Sequence, residues 1–198
     1  AVVYLYGSLG MSTQVTSSRY FQDEIVRRGY ALIVPAALNV TYRGGRRGTG
    51  WGRKARPRHP RDDLAFIRRV LNDAERRFHI DRERLIFAGQ SDGGFLIYEI
   101  ACHEPGMAAA YAVHGASYGW ELPARCDRPV RFLHAHGRRD ATVPFEGGIT
   151  HGRWTVAADV GEALEVLGRS NGCARGPEEA GRFHGFERFT WEACAPNA

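Results

Sequence analysis

The stretch Leu85-Ile86-Phe87-Ala88-Gly89-Gln90-Ser91-Asp92-Gly93-Gly94 decides how the chain folds. An apolar run enters a Gly-x-Ser-x-Gly pattern, and a helix-like stretch at residues 95–101 leaves it. Small residues at 89 and 93 allow a tight turn that holds the Ser91 hydroxyl at the tip of a sheet, above the N-terminus of the next helix. Ser91 is thus a candidate nucleophile, and the backbone N–H of Asp92 points toward an oxyanion. The alternative is a glycine-rich strand-to-helix turn whose serine has no chemical role.

The segments around this turn predict an α/β protein. Continuous apolar stretches predict buried strands, and apolar residues three or four apart predict helices. The predicted strands are residues 2–6, 30–34, 84–88, 108–113, 130–135 and 186–191, and the predicted helices are residues 15–28, the segment after Asp62-Asp63, residues 91–102 and residues 156–167. This alternation is typical of a mostly parallel sheet flanked by helices. At 198 residues the chain fits a single domain, residues 1–198.

Composition narrows the classes of partner. The net charge is +5 and Lys54 is the only lysine, so the positive charge is almost entirely arginine. A charge of this size, spread over one domain, is a weak argument for nucleic acid, and we expect no nucleic-acid partner. No apolar run approaches the roughly 18–20 residues that span a bilayer, so we also expect no membrane partner. The chain begins directly in a predicted strand, which we interpret as a processed or trimmed start.

A catalytic serine needs a base and an acid that orients the base, and after a turn of this kind they follow in the order acid, histidine. Asp140 is the candidate acid because it comes shortly after the buried strand at 130–135, at the same sheet edge as Ser91. The alternative is an aspartate that caps its own loop. Only His151 and His184 follow Asp140, and His151 is too close along the chain to reach the next strand end. His184 precedes the last predicted strand, which places it at the opposite end of the sheet; it is the in-chain fallback for the base, or else a surface histidine.

The chain has four cysteines, and none has the spacing of a metal site. Two disulfides with three possible connectivities are one interpretation, and four buried free thiols are the other. Sequential pairing closes two short loops and is the connectivity we favour; the cysteines are Cys102, Cys126, Cys173 and Cys194. Disulfides would indicate an oxidising compartment.

The chain resembles the secreted polyhydroxybutyrate depolymerase and feruloyl esterase family of α/β-hydrolases. The resemblance covers most of the chain, and its parts are the segment Ile80–Gly94 around Ser91, with Asp62-Asp63 before it and Cys102 and Pro105 after it; the loop His136-Gly137-x-x-Asp140-x-x-Val143-Pro144; and Asn171-Gly172-Cys173 with Cys194. It implies an α/β-hydrolase fold, ester hydrolysis, a secreted or periplasmic location, and disulfides between Cys102 and Cys126 and between Cys173 and Cys194.

Two departures from the family matter for the site. The family's catalytic histidine lies in a Gly-Gly-His turn after a further strand that follows the second of these cysteines. We therefore expect the base beyond residue 198, in a fold that lacks its last strand. The family has His-Gly in its first turn, where this chain has Tyr6-Gly7-Ser8. Because an oxyanion hole uses backbone N–H groups, Ser8 and Leu9 remain the expected donors there, beside Asp92.

Three further features are given structural roles. The arginine-rich segment 43–61, with Trp51 and Arg53 inside it, is interpreted as a solvated loop or a cleft rim in preference to a nucleic-acid site. His134 and His136 should point to opposite faces of their strand, so we expect structural histidines and no metal. Trp120 lines the acyl site or simply packs.

Together these observations predict a serine carboxylic ester hydrolase that works through an acyl-enzyme on Ser91. Its substrate is a small or polymeric ester, by analogy with polyhydroxyalkanoate depolymerases or feruloyl esterases, and no cofactor is expected. The alternatives are a peptidase or thioesterase on the same fold, or a non-catalytic hydrolase-like binding domain. Fold alone does not separate these.

Overall fold

A computed structural model describes residues 1–42, 45–54, 59–119, 121–150, 156–196 and 198. Its centre is a five-stranded sheet in which every pair of neighbouring strands is parallel. The strands of this sheet are β1 (Val2–Leu5), β2 (Leu32–Ile33), β5 (Ile86–Gln90), β6 (Ala110–His114) and β7 (Phe132–Ala135), and their order across the sheet is β2-β1-β5-β6-β7. The first five predicted strands are therefore present, with bounds that differ by a few residues.

Three long helices follow their sequence signals. They are α3 (Asp63–Phe78), α4 (Ser91–His103) and α5 (Val160–Ser170). The Asp62 side chain accepts from the N–H of Ala65, and that of Asp159 accepts from the N–H of Glu162, so both helices α3 and α5 begin at a side-chain cap. Almost all of α4 is buried, because it lies against the sheet directly behind Ser91.

The predicted helix at residues 15–28 is broken into shorter pieces. They are α1 (Ser12–Thr16), α2 (Arg19–Phe21) and a wide π-type turn at Gln22–Val26. The hydroxyls of Thr16, the last residue of α1, and of Ser17, which follows it, bond back to backbone carbonyls, with Ser17 donating to Thr13 at 2.7 Å. Such bonds compete with a regular helix, which accounts for the interruption.

The prediction of a long loop at 41–61 was wrong in part. Residues Leu38–Thr41 (β3) pair antiparallel with Arg47–Gly50 (β4) to form a hairpin. The sequence of β4 is Arg-Gly-Thr-Gly, which has no apolar alternation, so pattern analysis could not find it. Of the arginines in this segment, Arg43, Arg56 and Arg58 lie outside the described residues, as do Trp120 and His151.

The last predicted strand is real, but it does not join the central sheet. It is β11 (Phe186–Glu192), which pairs antiparallel with β10 (Arg175–Phe183) in a separate hairpin whose residues are almost all exposed. A further short pair is formed by β8 (Gly148–Ile149) and β9 (Val156–Ala157). The prediction that His184 lies at the opposite end of the main sheet from Ser91 was therefore wrong, because its strand does not belong to that sheet.

Both disulfides have the predicted connectivity. Cys102 at the end of α4 is bonded to Cys126 in the segment before β7, and Cys173 is bonded to Cys194 across the base of the β10–β11 hairpin. The core between sheet and helices is built from large side chains that are almost fully buried, chiefly Val3, Leu5, Ile67, Leu71, Phe87, Phe95, Ile97, Tyr98 and Tyr111. No helix within the described part of the chain combines the length and apolarity that a membrane span requires.

Candidate active site

Ser91 sits in a left-handed turn between β5 and α4. Its φ angle is +49°, a conformation that costs free energy for any residue other than glycine. The turn is possible because a Cβ on Gly89 or Gly93 would lie only 2.5 Å or 2.1 Å from the carbonyl oxygen of Leu5 in β1. The two glycines of the Gly-x-Ser-x-Gly pattern therefore let the turn press against the neighbouring strand, which raises Ser91 at the carboxyl edge of the sheet.

The turn after β1 lies beside this serine. A Cβ on Gly7 would be 3.1 Å from the Cβ of Ser91, so the two turns are in contact. Leu9 has a φ of +66°, and its N–H donates to the carbonyl of Thr49 at 3.0 Å. Because that N–H is already bonded, the prediction of Leu9 as an oxyanion donor was wrong. Ser8 stays a predicted donor. Asp92 lies in the first turn of α4, where backbone N–H groups point along the helix axis toward its N-terminus.

Residues after β4 cover this corner from behind, and the burial of Trp51 and Arg53 contradicts the solvated-loop alternative at these two positions. Trp51 is fully buried, and the side chain of Arg53 is fully buried as well. Arg53 forms an ion pair with the buried carboxylate of Asp92 at 3.3 Å. The exposed Lys54 follows, and its backbone N–H donates to Glu99 of α4 at 2.9 Å. Sequence analysis missed Trp51 and Arg53 as site residues, because a segment rich in arginine and glycine has no apolar pattern that predicts burial.

Asp140 lies at the same edge of the sheet. Its Oδ1 atom accepts from the backbone N–H groups of Thr142 at 2.8 Å and Val143 at 3.0 Å, which fixes the carboxylate within its own loop. A Cβ on Gly115, the residue after β6, would be 3.4 Å from Asp140 Oδ2. Asp140 follows β7 and Ser91 follows β5, and only β6 lies between these two strands in the sheet. One oxygen is thus used for its own loop, as the capping alternative required, while the other faces the sheet edge.

His134 and His136 form a hydrogen-bonded chain behind Asp140. Tyr98 Oη lies 2.9 Å from His134 Nδ1, His134 Nε2 lies 3.2 Å from His136 Nδ1, and His136 Nε2 lies 2.8 Å from the carbonyl of Val143. The expectation that the two rings point to opposite faces was wrong, because side chains alternate at every residue of a strand and residues two apart therefore lie on the same face. The rings stack instead, with centroids 5.3 Å apart.

The direction of this chain follows from its two ends. A carbonyl only accepts, so His136 donates from Nε2, and the bond between the two rings is then assigned from His134 Nε2–H to His136 Nδ1. His134 accepts in turn from the Tyr98 hydroxyl, whose pKa burial raises well above 10. Burial, assisted by His136 and His114, lowers the pKa of His134 to about 3, so its ring is neutral. His136 Nε2 also lies 3.6 Å from Asp140 Oδ2.

The in-chain candidate for the base is His184, which belongs to the β10–β11 hairpin. His184 occupies the exposed turn of the β10–β11 hairpin with a φ of +46°, and its ring lies against Phe183 at 4.2 Å between centroids. The hairpin contacts the loop that holds Asp140, since Glu187 of β11 forms an ion pair with Arg138 of that loop at 2.9 Å. Within the described residues, however, His184 makes no hydrogen bond to Ser91 or Asp140. His114 at the end of β6 is the register partner of Gln90, the residue before Ser91, and sequence analysis did not single it out.

Two cavities are described, and neither includes Ser91 or Asp140. One of about 570 Å³ lies between β2 and α3, and one of about 370 Å³ lies at the amino ends of β5 and β6. Among the described residues, no group of three or more histidine, cysteine, aspartate or glutamate side chains could hold a metal ion. This corner of the sheet presents a serine hydroxyl, backbone N–H groups and a carboxylate.

Comparison with known proteins gives partial matches in sequence. No protein-family model matches the chain. Feruloyl esterase C of Emericella nidulans is 29% identical over 92 residues, which cover 45% of this chain and 33% of that protein. Probable feruloyl esterase C of Aspergillus terreus is 27% identical over 128 residues, 58% of this chain and 46% of that protein. The matched stretch thus spans less than half the length of these curated relatives.

Solved structures resemble the chain over most of its length. The Bacillus cereus carboxylesterase superposes with a TM-score of 0.59 at 16% identity, covering 86% of this chain and 74% of that one. The phospholipase/carboxylesterase of Dyadobacter fermentans gives a TM-score of 0.59 at 22% identity, covering 86% and 76%. Together with the parallel sheet and its flanking helices, this likeness shows that the chain has the α/β-hydrolase fold.

Proposed function

We propose that this α/β-hydrolase chain hydrolyses carboxylic esters through an acyl-enzyme on Ser91. The observation that carries the proposal is the strained position of Ser91, whose φ of +49° holds it at the carboxyl edge of the sheet beside the Gly7 turn. Strain of this kind is retained where surrounding structure over-determines it, and it clusters at reactive sites. Asp140 at the same edge, and the matches to proteins named as esterases, support the same reaction.

The proposed steps follow the roles that the fold offers. The Ser91 oxygen attacks the ester carbonyl while a histidine base takes its proton, and the backbone N–H groups of Ser8 and Asp92 stabilise the tetrahedral oxyanion. The base returns the proton to the departing alcohol, which leaves an acyl group on Ser91. Water then attacks the acyl carbonyl, the base takes its proton, and the carboxylic acid leaves as Ser91 regains its hydrogen. Asp140 orients the base throughout.

The base is proposed as a histidine beyond Ala198, with His184 as the in-chain alternative. Two observations support this alternative. His184 lies in an exposed turn, and its hairpin contacts the loop of Asp140 through the ion pair of Arg138 with Glu187. A chain without its base retains catalysis of roughly 10³–10⁴ over water when oxyanion binding is intact. Ser91-dependent turnover that disappears in His184→Ala would assign the base to His184.

The proposed substrate is an ester of a hydroxycinnamic acid, small or attached to a polymer, because the matched relatives are named as feruloyl esterases. A polyhydroxyalkanoate, whose backbone ester bonds would be cleaved by the same reaction, is the alternative substrate. The two disulfides support a secreted or periplasmic location, since such bonds persist in oxidising compartments. Turnover of methyl ferulate compared with 3-hydroxybutyrate oligomers separates the two substrate classes.

The test of the reaction is a covalent one. Wild type should release alcohol from methyl ferulate or a nitrophenyl ester with a burst, and a fluorophosphonate probe should add one adduct, located on Ser91 by peptide mass spectrometry. Ser91→Ala should lose the adduct and, in the protein that carries its histidine base, at least about a hundredfold of the turnover. The exposed Ser17→Ala variant is the control and should match wild type. Labelling that persists in Ser91→Ala, or wild type that binds ferulate without hydrolysis or labelling, would contradict the proposal and favour a binding domain.

A further inference from the structure

The oxyanion corner is assembled from three separate segments of the chain. The turn after β1 supplies Ser8, the start of α4 supplies Asp92, and the residues that end and follow β4 lie behind both. Catalysis by oxyanion stabilisation depends on where the N–H donors point, and an error of a fraction of an ångström weakens it. Something must therefore hold the first two segments at a fixed separation.

Trp51 contacts both segments through its two N–H groups. The indole Nε1–H donates to the carbonyl oxygen of Tyr6 at 2.8 Å, and the backbone N–H donates to Asp92 Oδ2 at 2.9 Å. The indole is fully buried and lies against the Tyr6 ring with centroids 5.6 Å apart. Bonds made in a buried site are shielded from water, so this bridge is stiffer than the same bonds would be at the surface.

The other end of the Ser8 turn is held by the same strand. The N–H of Leu9 donates to the Thr49 carbonyl at 3.0 Å, and the Thr49 hydroxyl donates to the carbonyl of Gly10 at 2.6 Å. The carbonyl of Tyr6 and the N–H of Leu9 are thus both fixed by residues 49–51. The Ser8 N–H lies between these two fixed peptide groups, so its direction is determined by Trp51 on one side and Thr49 on the other.

The Asp92 end of the bridge is held by charge. Its carboxylate accepts from Trp51 on one oxygen and pairs with Arg53 on the other, and the Arg53 guanidinium lies over the Phe95 ring at 4.6 Å. Phe95 is on α4, one turn after Ser91. The side chain next to the nucleophile is therefore not exposed to substrate, and its buried carboxylate serves to fix the first turn of α4.

We propose that Trp51 is a positioning residue for the oxyanion hole, setting the separation between the N–H groups of Ser8 and Asp92. This inference rests on the proposed function, because it assigns those two groups to the oxyanion. Trp51 does not touch the substrate. It acts by tying the Tyr6 carbonyl to the Asp92 carboxylate, so the loss of its indole N–H should weaken binding of the transition state and leave binding of the ground-state ester unchanged.

The test removes the indole N–H and keeps the ring. Trp51→Phe, and a chain carrying benzothienylalanine at position 51 as a closer isostere, should lower kcat on methyl ferulate about tenfold with KM within about twofold. Hydrogen exchange should be faster in peptides that contain residues 6–10 and 91–94. Trp191→Phe is the matched control, because Trp191 packs on Gly168 of α5, away from these segments, and it should leave kcat and that exchange unchanged.

The outcomes separate this inference from the proposed function. Wild type without Ser91-dependent hydrolysis refutes the function, and the inference falls with it. Ser91-dependent hydrolysis in wild type with unchanged kcat and exchange in the isostere chain refutes the inference alone. A fall in kcat accompanied by an equal rise in KM and general loss of protection shows a merely structural tryptophan and also refutes it. Because the isostere keeps the shape of the indole, misfolding of Trp51→Phe does not decide the question.

Discussion

At the scale of single residues, the packing of α4 on β1 depends on a glycine, because no side chain fits at position 93. Gly93 lies in the first turn of α4, and a Cβ there would lie 2.1 Å from the Leu5 carbonyl oxygen and 2.4 Å from its carbonyl carbon. Both atoms belong to the backbone of the neighbouring strand, so neither can rotate away. The requirement for glycine in the serine turn is thus a matter of space between β1 and α4, in addition to the strain at Ser91.

We expect Gly93→Ala to destabilise the protein by at least about 3 kcal/mol, because overpacking against a backbone that cannot move has no inexpensive relaxation. Urea unfolding followed by circular dichroism measures it. Gly106→Ala is the matched control: the nearest atom to its Cβ is the tip of the flexible Arg128 side chain at 2.6 Å, which can swing aside. That variant should stay within about 0.5 kcal/mol of wild type. Equal stabilities of the two variants would contradict the packing argument.

At the scale of elements, the two disulfides hold pieces of very different kind. Cys102–Cys126 joins the end of the buried helix α4 to the segment before β7, and both residues are at most 1% exposed. Cys173–Cys194 closes the base of a hairpin whose strands β10 and β11 are almost entirely exposed. The first bond constrains the core, and the second constrains an arm that contributes little to it.

Replacing Cys102 and Cys126 by alanine should therefore lower the free energy of unfolding of the whole domain by about 3 kcal/mol, from chain entropy for a loop of 24 residues. Replacing Cys173 and Cys194, whose separation is a similar 21 residues, should mainly loosen the hairpin. Calorimetry should show the larger fall in Tm for the first pair, and hydrogen exchange should show loss of protection confined to residues 174–193 for the second. Equal shifts of Tm would be evidence against this division.

The elements also show which parts of the structure the sequence could predict. The turn at Ser91 was predictable because strand, glycine spacing and helix are contiguous in the sequence. The two glycines are also the residues that the close approach to β1 requires. The position of Asp140 at this edge of the sheet was predictable because the residue follows a buried strand. The hairpin of β3 and β4 was not, since Arg-Gly-Thr-Gly carries no alternation, and its role depends on bonds from Trp51 to residues 45 and 41 positions away along the chain. Contacts over such separations leave no local signal.

At the scale of the whole molecule, the sheet is covered unequally. The face toward α4 is buried, whereas the row Tyr4, Ala88, Ala112 and Leu133 crosses the other face and ends with Leu133 at 67% exposure. Phe21 meets Tyr4 on that face with ring centroids 4.6 Å apart. His134 is buried toward α4, and its lowered pKa couples the stability of the domain to pH.

We expect the stability to fall in acid because of His134. Its pKa is about 3 in the folded protein against 6.5 for an unperturbed histidine. Below 6.5 the unfolded chain binds a proton that the folded one excludes, so this group removes up to about 1.4 kcal/mol per pH unit as the pH falls, until the folded ring itself protonates. Above 6.5 both states are neutral and the effect vanishes.

The measurement is urea unfolding between about pH 7 and pH 5 for wild type and His134→Gln, whose amide can still bond to Tyr98 and His136. The variant should lose less stability over that range, by up to about 2 kcal/mol, although it is less stable at neutral pH. His184→Gln, in the exposed hairpin turn, is the control and should follow wild type. Parallel curves for wild type and His134→Gln would show that His134 does not carry the acid sensitivity.

The exposed Lys54 next to the buried Arg53 has a practical consequence. It is the only lysine in the chain, so an amine-reactive dye attaches there and otherwise at the amino terminus alone. Its backbone is tied to Glu99 of α4, while its side chain points to water. A fluorophore at this position would lie beside α4, and its emission would respond to movements of the segment that covers the serine turn.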